Sequence, residues 1–181
     1  MNEKEIIKKL RKGDLNVLKN MWDEHSKHML NLAFRMVLDR DQAEDILMDV
    51  FVQIPEAIQK FRGESSLSTW LYMLTKNACL MKLRSDKVHL KIETDRHLEI
   101  EERAIGKSEQ TETLLDKEAL SYGLSILTPD QRSLLWLKDA EGLDIKTLSE
   151  MYNAPEGTLK ARLSRARTQV RQVLEKETTY A

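Results

Sequence analysis

The chain has 181 residues, 33% of them charged and 41% hydrophobic, with a formal net charge of -1, a composition that fits soluble helical domains and excludes a disordered chain. No apolar run approaches the roughly 18 residues of a membrane span, and no cleavable signal pattern occupies Met1 to Lys12, so a cytoplasmic protein with no membrane insertion is expected. A single cysteine, Cys79, rules out an internal disulfide and a thiolate metal cluster and reads as a packed thiol.

Helical periodicity predicts elements over Glu3 to Lys12, Leu15 to about Leu38, Asp41 to Lys60 and Ser68 to Ser85, broken at Gly13, Asp39 and Arg62-Gly63. These form a four-helix domain over residues 1–86. Leu15, Leu18, Met21, Trp22, Met29, Leu32, Ala33 and Met36 recur at three- and four-residue steps and are expected in its core. Pro55 interrupts the backbone ladder of the third helix, so a kink near Val52 is expected. On that helix Ile46, Leu47, Val50 and Phe51 face inward, while Asp41, Glu44, Asp45 and Asp49 form an acidic rim. Favourable first-turn placement accounts for Asp41 and Glu44 but less well for Asp49. Trp70, set among Leu67, Leu71 and Leu74, reads as a core residue in preference to a stacking platform. His25 and His28 lie three apart beside Asp23 and Glu24 but read as solvated helix residues, so no metal is assigned. No P-loop, zincin motif, nucleophile elbow or dinucleotide fingerprint occurs, and neither a cofactor nor an enzymatic activity is expected.

From Lys87 to about Thr111 the apolar period fades and charges dominate, which reads as a flexible linker. The charge is unevenly spread. Residues 1–92 carry 16 basic and 13 acidic side chains, residues 93–118 carry 4 and 9, and residues 119–181 carry 9 and 8. With acid concentrated in the middle, affinity for a polyanion should be weak unless a larger partner holds the protein on it.

A second helical domain over residues 112–181 opens with Leu114, Leu115, Ala119, Leu120, Leu124 and Leu127 at helical spacing. Thr128, Pro129 and Gln131 supply an N-cap hydroxyl, a first-position proline and a capping-box glutamine. Gly142 stops that helix. Asp144 caps a short helix from Ile145 to about Tyr152, and Asn153-Ala154-Pro155 makes a turn in which Asn153 takes positive φ. A long helix follows from Glu156 to about Glu175. Leu159, Leu163, Ala166, Val170, Val173 and Leu174 form its apolar stripe, whereas Lys160, Arg162, Arg165, Arg167 and Arg171 lie off it. No acidic residue falls between Gly157 and Leu174, so these cations are read as uncompensated and suited to phosphate. The order of short helix, tight turn and basic helix is that of a helix-turn-helix.

The runs Leu127 to Arg132, Glu141 to Leu143 and Glu156 to Arg167 closely resemble region 4 of bacterial sigma factors of the extracytoplasmic-function (ECF) group, within the sigma-70 family. Independently, Asp41 to Asp45 with Asp49, Val50 and Phe51 resembles region 2.2. Phe61 to Ser66, followed by Thr69 to Tyr72 and Asn77, resembles regions 2.3 to 2.4. The resemblance implies an all-α fold: a region 2 domain over 1–86 and a region 4 domain over 112–181, joined by the acidic linker 87–111. It implies an alternative sigma factor that binds core RNA polymerase and directs promoter-specific initiation.

In the resembling family the surface at Asp41, Glu44, Asp45, Met48 and Asp49 docks on the coiled coil of the largest polymerase subunit, although Met48 stands where glutamine is usual. The loop of Phe61, Arg62, Gly63, Glu64, Ser65 and Ser66 resembles the one that accepts a flipped minus-10 base, with Lys76 and Asn77 beside the adjacent strand. In the second domain Thr158, Lys160, Ala161, Arg162 and Arg165 are placed to reach minus-35 base edges, and Arg167 and Arg171 to contact phosphate. Further implied partners are promoter DNA, the flap of the second-largest subunit and an anti-sigma factor; the free protein is expected to be a monomer. Two other readings share some of these residues. A stand-alone helix-turn-helix regulator would use the second domain alone, and a sigma-like adaptor would bind polymerase while another protein places it on DNA.

Overall fold

The computed structural model describes residues 2–94 and 123–180; the expectations for residues 95–122, which include most of the linker and the start of the second domain, lie outside them. The chain divides into two units, Met1–Arg103 and Ala104–Ala181. All regular elements among the described residues are helical.

In the first unit, α1 spans Glu3–Arg11, where Asn2 and Glu5 form a reciprocal capping box. Gly13, with φ of 77°, makes the turn into α2, Leu15–Val37, which Asp14 caps by accepting from the Asn16 amide at 3.0 Å. Leu38 ends α2 in the left-handed region at φ 59°, and Asp39 caps α3, Arg40–Lys60, from the Gln42 amide at 3.0 Å. The α-helix of α3 continues through Pro55 to Lys60. A loop then leads to α4, Leu67–Thr94, which runs well past the end expected at Ser85 and through the boundary expected at residue 86.

Met29, Leu32, Ala33 and Met36 of α2, Ile54 and Ile58 of α3, and Leu71, Thr75 and Cys79 of α4 are fully enclosed and form one core. Thr75 satisfies its hydroxyl on the Leu71 carbonyl at 2.9 Å, so burying it leaves no donor open. Trp22 meets Phe51 edge-on with ring centroids 4.7 Å apart, tying α2 to α3. Burial pushes the Cys79 thiol up to about 12, which makes it the packed, unreactive cysteine expected. One core expectation fails. Leu15 is 75% exposed, and the buried residue of that first turn is Val17. Periodicity assigns a helix face, not how far along the helix its neighbours reach.

In the second unit, α5 spans Pro129–Leu135, with the Thr128 and Gln131 capping box formed as expected. It continues as one π-helical turn, Trp136–Ala140, which the sequence did not signal, and stops before Gly142 at φ 70°. Asp144 caps α6, Ile145–Tyr152, at 2.7 Å from the Thr147 amide, and Asn153 closes it with φ of 46°. The Ser149 hydroxyl donates to the Ala154 carbonyl at 2.6 Å across this turn. The last helix, α7, spans Glu156–Tyr180. Leu127, Leu134, Leu137, Leu148, Met151, Leu159, Leu163 and Ala166 make the core of this unit.

Candidate nucleic-acid interface

The turn between α6 and α7 fixes how the basic helix is presented. Leu159, Leu163 and Ala166 pin its inner face to the core, and Thr158, Lys160, Ala161, Arg162, Arg165, Arg167 and Arg171 are all exposed. Two supports behind them were not legible beforehand. Ser133, fully buried on α5, shares a 2.7 Å hydrogen bond with the Tyr152 hydroxyl, and burial pushes that phenol well above its ordinary range. Arg132, part of the quoted family motif, is buried and donates to the Leu127 carbonyl at 2.6 Å and the Leu124 carbonyl at 3.3 Å. Its cation satisfies carbonyls where the preceding helical stretch ends, a structural capping role.

The cations of α7 are not uniformly uncompensated, which corrects the sequence reading. Lys160 pairs with Glu156 at 3.5 Å. Arg167 is held bidentately by Asp139 of the π-turn, Nη2 at 2.6 Å and Nε at 3.2 Å from its two oxygens. Glu156 opens α7 just ahead of the acid-free span, and Asp139 reaches the helix from a neighbouring turn. Among the described residues, no ion pair engages Arg162, Arg165 or Arg171.

In the first unit Phe61, where the loop to Ser66 begins, lines an open cavity of about 450 Å³ with Gln53, Glu56, Ala57 and Lys60 of α3 and Trp70 and Leu74 of α4. Gly63 turns the loop with φ of 74°. Arg62, Gly63, Glu64 and Ser66 are exposed and Ser65 is half-buried. Ser66 caps α4 by accepting from the Thr69 amide at 3.1 Å. Phe61 stands apart from the exposed residues of this loop: it is 8% exposed and stacks obliquely on Trp70 with centroids 5.0 Å apart, forming the cavity wall. Trp70 is buried with it, as expected for a core tryptophan. Lys76 differs more from expectation. At 7% exposed it lies within the domain rather than on its surface, while the adjacent Asn77 is exposed. One step along a helix turns a side chain by about 100°, which separates these neighbours.

A third surface lies on α3. Ala43, Ile46, Leu47, Val50 and Phe51 are buried, and Asp41, Glu44, Asp45, Met48 and Asp49 are exposed together on the other side. Glu44 is taken up by Arg40 at 2.9 Å. Met48 is 54% and Val52 76% exposed, so an apolar step one helical turn long sits among the carboxylates. Val52 is not among the docking residues the sequence suggests; its signal is an apolar side chain four residues after Met48 and off the buried stripe.

The profile of Sigma-70 region 2 matches residues 21–88, and that of Sigma-70 region 4 matches residues 117–170. The chain is 27% identical over 162 residues to the ECF RNA polymerase sigma factor SigM of Mycobacterium tuberculosis, covering 90% of this chain and 79% of that protein. It is 26% identical over 179 residues to the ECF RNA polymerase sigma factor SigW of Bacillus subtilis, covering 94% and 96% respectively. Among solved structures it shares the fold of the sigma factor RpoE of Bartonella quintana, solved in complex with the anti-sigma factor NepR. That match has a TM-score of 0.71 and 23% identity, and it covers 87% of this chain and 96% of that one. The chain belongs to the sigma-70 family of RNA polymerase sigma factors, in its ECF group, whose members are transcription initiation factors.

Proposed function

We propose that this alternative sigma factor divides its work among the three surfaces described. The α3 face of Asp41, Glu44, Asp45, Met48 and Asp49, with Val52 added, docks on the coiled coil of the largest subunit of core RNA polymerase. Carboxylates at Asp41, Asp45 and Asp49 repel one another at four-residue spacing, which an isolated helix would not favour. A cationic partner with an apolar contact for Met48 and Val52 relieves both the repulsion and the exposure.

The loop Arg62 to Ser66 and its cavity capture an unstacked minus-10 base. The aromatic wall of Phe61 and Trp70 gives that base an apolar surface, and Gln53, Glu56 and Lys60 place polar groups around it. Asn77 serves the adjacent strand. Lys76 supports this surface from within rather than touching DNA from outside.

The exposed face of α7 reads the minus-35 element through Thr158, Lys160, Ala161, Arg162 and Arg165, with Arg171 on phosphate. The second domain also meets the flap of the second-largest subunit. The factor acts in the cytoplasm as a monomer until it joins polymerase, contributes no catalytic residue of its own, and is held in check by an anti-sigma factor.

The observation that supports this most is the pairing of an exposed α7 face, with Arg162, Arg165 and Arg171 outside any ion pair among the described residues, with an inner face closed by Leu159, Leu163 and Ala166. Run-off transcription with purified core polymerase and genomic fragments tests it. Discrete transcripts that require the chain are expected. Unchanged transcript patterns with and without it would overturn the proposal.

A further inference from the structure

Helix α1 precedes the span matched by the region 2 profile, yet it holds both ends of the Phe61 to Ser66 loop. At one end Arg11 donates from Nε to the Ile58 carbonyl at 3.2 Å and from Nη2 to the Phe61 carbonyl at 2.5 Å. Gln59 returns a bond to the Arg11 carbonyl at 3.0 Å. At the other end the Glu3 carboxylate accepts from the Leu67 amide at 3.0 Å, at the first residue of α4.

The signs of these contacts match the helices they touch. The guanidinium sits on the Ile58 carbonyl in the last turn of α3 and on that of its C-cap, Phe61, where the helix end carries partial negative charge; the carboxylate sits at the α4 N-terminus, where orphan amides carry partial positive charge. Glu3 and Arg11 are eight positions apart, about 12 Å along a helix axis. The nine residues of α1 therefore form a rigid strut between the two helix ends that the loop connects. The capping box at Asn2 and Glu5 stiffens the strut at the Glu3 end.

We propose that Glu3 and Arg11 are positioning residues for minus-10 recognition: α1 sets the separation of the α3 and α4 ends and thereby the shape of the loop and cavity mouth that receive the base. The inference rests on the proposed reading of that loop as the base-capturing element. Neither side chain touches DNA. A flexible loop would still bind, but it would pay the ordering entropy at each capture and tolerate a wrong base more readily.

The test uses the full chain in holoenzyme, carrying Glu3→Ala and Arg11→Ala singly and together, with Glu3→Gln as the conservative variant that keeps an acceptor. Initiation is measured on a matched promoter and on promoters with single substitutions in the minus-10 or minus-35 element. Amide exchange is followed at residues 62–67. The double variant is expected to lose about tenfold in minus-10 discrimination and to exchange the loop amides about tenfold faster, with minus-35 preference and polymerase association unchanged. Glu3→Gln should restore most of the Glu3 contribution. Unaltered loop exchange overturns the strut. Faster exchange with intact minus-10 discrimination overturns the positioning role, provided that alanine at Arg62, Glu64 and Ser65 does alter discrimination. If those loop substitutions also leave discrimination intact, the base-capture reading itself falls and the positioning role falls with it.

Discussion

Asp139 grips Arg167 with both carboxylate oxygens, Nη2 at 2.6 Å and Nε at 3.2 Å, and so ties the basic helix α7 to the π-turn that ends α5. Both side chains are about half exposed, so the pair contributes only about 0–1 kcal/mol to stability. Its larger effect is on charge presented to DNA. An arginine whose fork is already filled cannot offer the same two donors to phosphate.

Asp139→Asn should therefore release Arg167. The variant is expected to bind duplex DNA more tightly at low salt, with the slope of log K against log salt steeper by about one unit. Fluorescence anisotropy across a salt series measures this. An unchanged slope would mean that Arg167 remains unavailable for another reason.

Arg162 and Arg165 should behave differently from Arg171. Alanine at either of the first two is expected to cost about 1–3 kcal/mol where the contact is bidentate to a base, and to relax preference at one upstream promoter position. Arg171→Ala should weaken all sequences alike. Holoenzyme binding and transcription on a library randomised upstream of the start site distinguish the two patterns, and upstream preference indifferent to both mutants would refute direct reading by α7.

Charge reversal of Asp45 and Asp49 to lysine should weaken capture of core polymerase while leaving helix content unaltered, because both carboxylates point away from the core. Val52→Asp should do the same through the apolar step. Pull-down of core enzyme, read beside circular dichroism, separates docking from folding. Capture at the parental level in all of these variants would move the docking surface elsewhere.

Asp144 links stability of the helix-turn-helix to pH. The Thr147 amide hydrogen bond holds its carboxyl below the usual aspartate value, with smaller help from the Thr147 hydroxyl, the Lys146 amide and the charge of Lys138. A folded value depressed below the unfolded one means that the contribution is present above the ordinary aspartate value of about 3.9 and is lost as pH falls through the folded value. Amide protection across Ile145–Tyr152, followed through that acid range, should drop. Asp144→Asn keeps a capping oxygen and should flatten this part of the dependence.

Much of the fold was legible because its signals act over three or four residues. Thr128 with Gln131, Asp144 with Thr147 and Asn153 after α6 are local hydrogen-bond or backbone choices, and each stands where the sequence placed it. The buried side of α3 and the inner stripe of α7 follow equally from helical period, since a repeat of apolar residues defines a face wherever the helix lies. What a face meets is another matter. Leu15 stays in solvent, Phe61 and Lys76 go inside, and Arg167 finds Asp139, 28 positions earlier in the chain. Arg11 reaches carbonyls 47 and 50 positions away. Local pattern carries no information on such distances. The sequence by itself determined the helices, their caps and their apolar faces; only the tertiary structure decided which exposed cations remain available and which helix braces the loop, because burial and charge pairing depend on segments brought together by packing.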